Sequence, residues 1–182
     1  MHLGAWSQLG NAPKLRKTAR FRFRYDVLSG GVNTGRGWKN YSPGGSFVPA
    51  YVQESARYRM YPVFTYYMLR QSRPGAGTAD EPTAVMENLQ SRKTMKAYFK
   101  DLRLFFKRAR ATRRRMVLHV EPDFWGYVQQ QSPADDASSV FAHVSSTGLR
   151  ELNGLPNNVR GFAQAIRRLR SRYARKVALA YH

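Results

Sequence analysis

The chain has 182 residues, of which 42% are hydrophobic and 13% aromatic, a composition that is typical of one globular domain with a core and not of a disordered chain. It contains no cysteine, which excludes disulfides, thiol catalysis and thiolate metal sites. The 31 Lys and Arg residues outnumber the 11 Asp and Glu residues and give a formal net charge of +20, which favours attraction to polyanions.

The start of the chain is polar and basic. Residues 1–6 lack the charged and apolar regions of an export signal, and no window of the sequence provides the roughly 18 apolar residues of a membrane span. We therefore expect no membrane span. Residues 1–19 show no periodicity, which predicts a flexible basic tail before a domain that covers residues 20–182.

Two strands are predicted in the first half of this domain. Alternating apolar and basic residues predict a strand over Phe21–Leu28, which leads into a long loop rich in Gly, Asn and Pro. β-Branched and aromatic residues predict a second, buried strand over Tyr61–Leu69. A Pro/Gly/Asp loop is expected over residues 75–83.

Two helices and two further strands are predicted in the second half. Apolar residues at three- and four-residue steps predict an amphipathic helix over Ser91–Arg110, and a strand follows over Met116–Val120. The pair Asn157-Asn158 can cap a helix that runs from Val159 to about Tyr173. A last strand is predicted over Val177–Tyr181.

This alternation of strands and helices predicts the fold class α/β, with a parallel (β/α) barrel-type sheet built from right-handed crossovers. Long loops follow the first three strands, at the edge where such barrels carry binding and catalysis. A closed barrel has eight strands and takes about 250 residues, so the four predicted strands form either an open sheet or the N-terminal half of a longer barrel. An apolar last strand without a covering helix favours the half barrel.

Two carboxylates follow the third predicted strand. Glu121 and Asp123 flank a proline, and strand alternation predicts both side chains on the same side. Three aromatic residues come next, at Phe124, Trp125 and Tyr127. An acid beside such an apolar wall is disfavoured in its charged form and can donate a proton near neutral pH. The alternative is structural, with Glu121 paired to an arginine and Asp123 capping a loop.

The segment Val120-Glu121-Pro122-Asp123 resembles the Glu-Pro-Asp segment of glycoside hydrolase family six, the inverting cellulases. This resemblance implies a distorted α/β barrel in which Asp123 is the general acid and Glu121 a supporting residue. The segments 28–33, 62–67 and 119–127 are similar to bacterial barrel proteins of glycosidase type, so the resemblance covers most of residues 21–182.

The chain departs from that family at the end of the second predicted strand. The family carries an Arg-Asp-Cys segment there, whereas residues 66–72 contain neither the aspartate nor the cysteine. Ordinary glycoside hydrolysis needs a second carboxylate. We therefore expect the second carboxylate in the other half of the barrel.

Five further residues are candidates for binding a carbohydrate substrate. Trp38 lies in the glycine-rich loop and is predicted to offer a stacking surface at the mouth of the barrel. Trp125, which follows the third strand, is predicted to help shape the sugar site. Tyr66 and Tyr67 end the second strand, where one of them must face the interior. Asn33 belongs to one of the segments of the resemblance. Core packing is the alternative for the aromatic residues.

The expected function is therefore that of a glycoside hydrolase that cleaves or binds a polysaccharide, and secretion would accompany that role. No metal and no cofactor are predicted, because the histidines lack partners at ligand spacing. The competing hypothesis is a non-catalytic basic module that binds nucleic acid or another polyanion through the arginine-rich segments 107–115 and 167–175. Solvated helix faces and helix C-termini also carry such cations.

Overall fold

The computed structural model describes residues 3–181, with Tyr41 described by its backbone alone. Within this range the fold is α/β, and five strands form one all-parallel sheet in which each strand pairs with the next along the chain. The strands are β1 (Gly4–Trp6), β2 (Phe23–Leu28), β3 (Tyr61–Tyr66), β4 (Met116–Val120) and β5 (Val177–Ala180). The predicted parallel α/β arrangement is confirmed.

Helices fill the connections between these strands. They are α1 (Ala12–Thr18), α2 (Trp38–Tyr41), α3 (Phe47–Arg57), α4 (Glu81–Gln90), α5 (Arg92–Ala111), α6 (Phe124–Gln131) and α7 (Val159–Tyr173). Each helix among the described residues is too short or too polar to cross a lipid bilayer.

The segment predicted as a flexible tail is ordered, and this expectation was wrong for residues 3–19. Strand β1 pairs in parallel with β2, with Gly4 opposite Phe23. The carboxylate of Glu54 accepts hydrogen bonds from the backbone N–H groups of Gly10 at 3.0 Å and Ala12 at 3.2 Å, just where α1 begins. The sequence pattern does not reveal this, because the group that fixes the segment lies on α3, far along the chain.

The two faces of the sheet have different surroundings. Phe64 of β3 is fully buried, and its ring packs on Tyr51 of α3 at 5.3 Å and on Phe105 of α5 at 5.4 Å, so helices cover this face. The intervening side chains, such as Val63 and Val117, are partly exposed on the opposite face. Parallel sheets normally bury both faces.

The two predicted helices are confirmed as α5 and α7. The apolar face of α5 is buried, and Tyr98 packs against Phe162 of α7 with ring centroids 5.3 Å apart. Of the predicted pair Asn157-Asn158, Asn158 caps α7, since its Oδ1 accepts a hydrogen bond from Gly161 N at 2.9 Å. These helices were predictable because their apolar residues recur at helical spacing over long segments.

Other element boundaries differ from the predictions. The second predicted strand ends at Tyr66 instead of Leu69, because the N–H groups of Met68 and Leu69 bond to the side chain of Glu121. Helix α4 begins inside the predicted loop over residues 75–83, where Asp80 accepts a hydrogen bond from Thr83 N at 2.9 Å. Helices α3 and α6 have no counterpart among the predicted elements.

Candidate functional site

The loops that follow β3 and β4 bring a group of polar side chains together at the carboxyl edge of the sheet. We call this group the carboxylate cluster; its members are Tyr67, Arg70, Glu81, Asp123 and Tyr127. Tyr67 and Arg70 come from the loop after β3, Glu81 opens α4, and the other two belong to the start of α6. The carboxyl edge is where parallel α/β sheets place their ligands.

Glu81 is the best-connected acid of the cluster. Its Oε2 accepts a hydrogen bond from the Tyr127 hydroxyl at 2.6 Å and a longer one from the Tyr67 hydroxyl at 3.5 Å. The Nε of Arg70 lies 3.6 Å from its Oε1. Side chains from the loop after β3 and from α6 thus hold the carboxylate of Glu81, whose side chain remains 46% exposed.

Asp123 is exposed at the N-terminus of α6, and within residues 3–181 its side chain does not cap that helix. The Tyr67 hydroxyl lies near both acids of the cluster. Burial raises the pKa of Tyr67, and the charges of Glu81 and Asp123 raise it further. The hydrogen bond to Glu81, with burial, raises the pKa of Tyr127 to about 12. Both phenols therefore stay protonated at neutral pH and can donate hydrogen bonds.

Glu121 lies apart from this open cluster, since it is 1% exposed. Its Oε1 accepts hydrogen bonds from Met68 N and Leu69 N, both at 3.1 Å, and its Oε2 from Leu69 N at 3.2 Å. Burial raises the pKa of Glu121 to about 8, and these backbone donors and the nearby Tyr98 hydroxyl only partly offset the rise. Glu121 therefore ties the end of β4 to the loop after β3.

The predicted common orientation of Glu121 and Asp123 was wrong. The backbone of Glu121 has φ of 45°, so the alternation of the strand ends there and α6 begins three residues later at Phe124. One carboxylate is buried and the other exposed as a result. The structural alternative is also corrected, since the partners of Glu121 are backbone amides and not an arginine.

The chemistry of the carboxylate cluster rests on two acids, two phenols and one guanidinium. Among residues 3–181, His, Asp and Glu side chains do not gather in any group of three that could hold a metal ion. No family model, no curated protein and no solved structure matches this chain. Its function is therefore inferred from the cluster itself, whose groups suit proton transfer and hydrogen bonding to a hydroxyl-rich ligand.

Trp38 and Tyr66 are core residues and not part of an open mouth. Both are fully buried, and both donate a hydrogen bond of 2.7 Å to the same oxygen, Oδ1 of the buried Asp101. The Nζ of Lys39 lies 3.2 Å from the other carboxylate oxygen. The expected stacking surface at Trp38 is thus corrected: α2 turns this ring into the core, where its N–H satisfies a buried acid.

Replacing Trp38 by Phe tests this structural role. The variant loses the indole donor to Asp101, and we expect the free energy of unfolding to fall by about 1.5–3 kcal/mol, the contribution typical of a hydrogen bond to a charged group. Urea denaturation measures this loss. Saccharide binding should stay unchanged. Weaker binding at unchanged stability would instead show that Trp38 contacts the ligand.

Of the remaining predicted substrate-binding residues, Tyr67 is the one that the structure places in the carboxylate cluster. Trp125 is half-buried; its Nε1 donates to Val120 O at 2.9 Å, and it borders a groove of about 460 Å³ between α6 and α7. The amide group of Asn33 is bonded to the backbone of Arg73, at 2.9 Å as donor and 2.8 Å as acceptor. Asn33 therefore joins two loops.

Sequence reasoning missed Glu81 and Arg70. Glu81 lies in a segment read as a polar loop, directly after Asp80, and has no local signal that separates it from its neighbour. The one available clue was chemical. Glycoside hydrolysis requires a second carboxylate, and the loop after the second predicted strand lies at the same edge of the sheet as Asp123. Only the fold distinguishes Glu81, which faces the two tyrosines, from Asp80, which caps α4.

Proposed function

We propose that the chain is a glycoside hydrolase-type protein that cleaves a polysaccharide, with Asp123 as the proton donor. The observation that carries this proposal is that two carboxylates, Asp123 and Glu81, both lie near the Tyr67 hydroxyl at the carboxyl edge of a parallel sheet. Two carboxylates flanking the scissile bond are the common requirement of glycoside hydrolysis. Glu81 supplies within this chain the second acid that the sequence had left unassigned.

The proposed fold is a (β/α) barrel of which these strands form one side. Two observations support it. The strands follow one another in chain order, and within residues 3–181 helices pack on the face that carries Phe64 while Val63 and Val117 on the other face stay partly exposed. In a barrel the uncovered face, which carries Val63 and Val117, is the interior. The carboxylate cluster then lies at the mouth of the barrel, where binding and catalysis occur.

The proposed reaction uses the two acids in different roles. Asp123 gives its proton to the glycosidic oxygen as the bond between that oxygen and the anomeric carbon breaks. Glu81 takes a proton from a water molecule whose oxygen attacks the anomeric carbon from the opposite face of the sugar, as in an inverting enzyme. Arg70 and Tyr127 hold Glu81 in place.

Glu121 is assigned a positioning role in this proposal. Its bonds to Met68 N and Leu69 N fix the loop that carries Tyr67 and Arg70, the two members of the cluster that follow β3. It lies too deep to touch a substrate. The test of the whole proposal is hydrolysis of polysaccharides by the purified protein and by its Asp123→Asn variant, measured as new reducing ends; equal rates would remove Asp123 as proton donor.

A second candidate function, the binding of a polyanion, is favoured by the opposite edge of the sheet. The turns that precede β3, β4 and β5 meet there, and cations line two neighbouring cavities of about 450 and 330 Å³. Neither lining contains an acidic residue among those described. The cations of this basic edge are Arg59, Arg110, Arg113, Arg114, Arg115, Arg175 and Lys176.

The basic edge predicts salt-dependent binding to double-stranded DNA. The logarithm of the binding constant should fall linearly with the logarithm of salt concentration. The single variants Arg114→Ala and Arg115→Ala should each reduce the magnitude of this slope by about 0.9 if each arginine contacts one phosphate. Fluorescence anisotropy across a salt series measures the slope. Arg160→Ala, on the surface of α7, is the control. A flat response of the unmodified protein would contradict this function.

A further inference from the structure

A further cavity adjoins the carboxylate cluster, since the two share Arg70. It has a volume of about 470 Å³ and lies between the loop after β2 and the loop after β3. Three arginines line it, and we call it the arginine cavity: Arg36, Arg70 and Arg73. Its described lining includes no acidic side chain. This lining differs from that of an apolar pocket and indicates an anionic ligand.

The loops that form the arginine cavity are fixed to one another. Gly30 N donates to the Gln71 side-chain oxygen at 2.6 Å, and Arg73 N donates to the Asn33 side-chain oxygen at 2.8 Å. A Cβ on Gly31, whose φ is 77°, would lie 2.4 Å from the Gln71 carbonyl oxygen. The two loops thus touch at several points, and the cavity between them has a defined shape.

Among the described residues, two of the three guanidinium groups lack a counter-ion. Arg70 lies 3.6 Å from Glu81, whereas in the part of the chain described here neither Arg36 nor Arg73 forms an ion pair. Both side chains are exposed at the rim of the cavity. A planar guanidinium can bind a carboxylate through two parallel hydrogen bonds, so Arg36 and Arg73 suit a carboxylate ligand.

Arg70 connects the arginine cavity to the carboxylate cluster. It lines the cavity and also approaches Glu81, one of the two acids assigned to cleavage. A polysaccharide bound across Glu81 and Asp123 would therefore reach the cavity past Arg70. A sugar unit in that position would lie beside Arg36 and Arg73.

We propose that the arginine cavity binds the carboxylate of a uronic acid unit, so that the substrate is an acidic polysaccharide. This inference rests on the proposed function, since it names the substrate class of the same site. Arg36 and Arg73 are the specificity residues, and Arg70 orients Glu81. The bond that is cut lies next to the uronic acid unit.

The test compares hexamers of galacturonic, glucuronic and mannuronic acid with the same hexamers after reduction of their carboxyl groups to alcohols. Binding is measured by calorimetry on the Asp123→Asn protein, which prevents turnover. At least one acidic hexamer should bind more tightly than its reduced form, and Arg36→Ala combined with Arg73→Ala should weaken that binding by about tenfold or more. Binding of the reduced form should not change.

Control variants separate the possible failures. If the double variant Arg114→Ala and Arg115→Ala weakens binding of the acidic hexamer as much as Arg36→Ala combined with Arg73→Ala does, the attraction comes from the general positive charge of the protein. That result overturns the inference. Equal binding of acidic and reduced hexamers overturns the inference and leaves the glycoside hydrolase proposal in place. If none of these hexamers binds in either form, both the inference and the proposed function are contradicted.

Discussion

Replacing Asp123 by Asn is expected to slow polysaccharide hydrolysis by about 10²- to 10⁴-fold, the contribution typical of general acid catalysis. Asn has the same shape as Asp but cannot give a proton to the glycosidic oxygen. Stability should change little, because the Asp123 side chain is exposed and, in the described range, does not cap α6. Initial rates measured by reducing ends, together with a thermal melt of each protein, test both statements.

Glu81→Gln is expected to cause a loss of similar size, since it removes the base that activates water. Gln keeps an oxygen that can accept the 2.6 Å hydrogen bond from Tyr127, so the loop geometry should survive. The effects of substituting two residues that act in the same step are not additive. The double variant should therefore be only slightly slower than the slower single variant. Asp135→Asn, an exposed acid beyond α6, is the matched control and should keep full activity.

The kinetics of the two single variants also show whether Asp123 and Glu81 act in catalysis or only bind the substrate. If both Asp123→Asn and Glu81→Gln raise KM and leave kcat unchanged, the carboxylates only bind the sugar. If Asp123→Asn alone lowers kcat, Glu81 is not the second acid. A full rate in both variants contradicts the two-carboxylate mechanism.

The strand and helix whose bounds were predicted correctly are those with a clear local sequence pattern. β4 and α7 have the predicted bounds, because a short apolar run between polar segments and a 15-residue amphipathic repeat are both visible in the sequence itself. The position of Glu121 and Asp123 at a strand end was visible for the same reason. The register of the sheet then placed this strand end beside that of β3.

Contacts between distant parts of the chain were not predictable from such patterns. Trp38 is fixed in the core by Asp101, 63 residues away, and Glu121 holds the loop after β3 from 53 residues away. Glu81 meets Tyr127 across 46 residues. Each of these pairs joins a side chain on one connection to another connection, and only the sheet topology brings them together. For this reason the sequence did not reveal that Trp38 and Glu121 are buried.

Glu121→Ala is expected to lower the free energy of unfolding by about 3–5 kcal/mol, because it leaves two buried N–H groups without an acceptor and creates a cavity. Those groups are Met68 N and Leu69 N. Glu121→Gln keeps an acceptor of similar size, so its loss should be smaller. Chemical denaturation at pH 7 measures both values, and equal stability of the alanine variant would contradict the role of Glu121 as a tie between the loops.

The raised pKa of Glu121 also predicts how its contribution varies with pH. Burial raises this pKa from 4.5 to about 8 in the folded protein, so the folded state holds a proton that the unfolded state releases between these values. Stability from Glu121 is fully present below pH 4.5 and falls by up to about 1.4 kcal/mol per pH unit until pH passes 8. Glu121→Gln removes this dependence, so the free energy of unfolding of the wild type minus that of the variant should fall between pH 5 and pH 8. A difference between the wild type and the Gln variant that is constant from pH 5 to pH 8 would show that Glu121 is ionised in the folded protein.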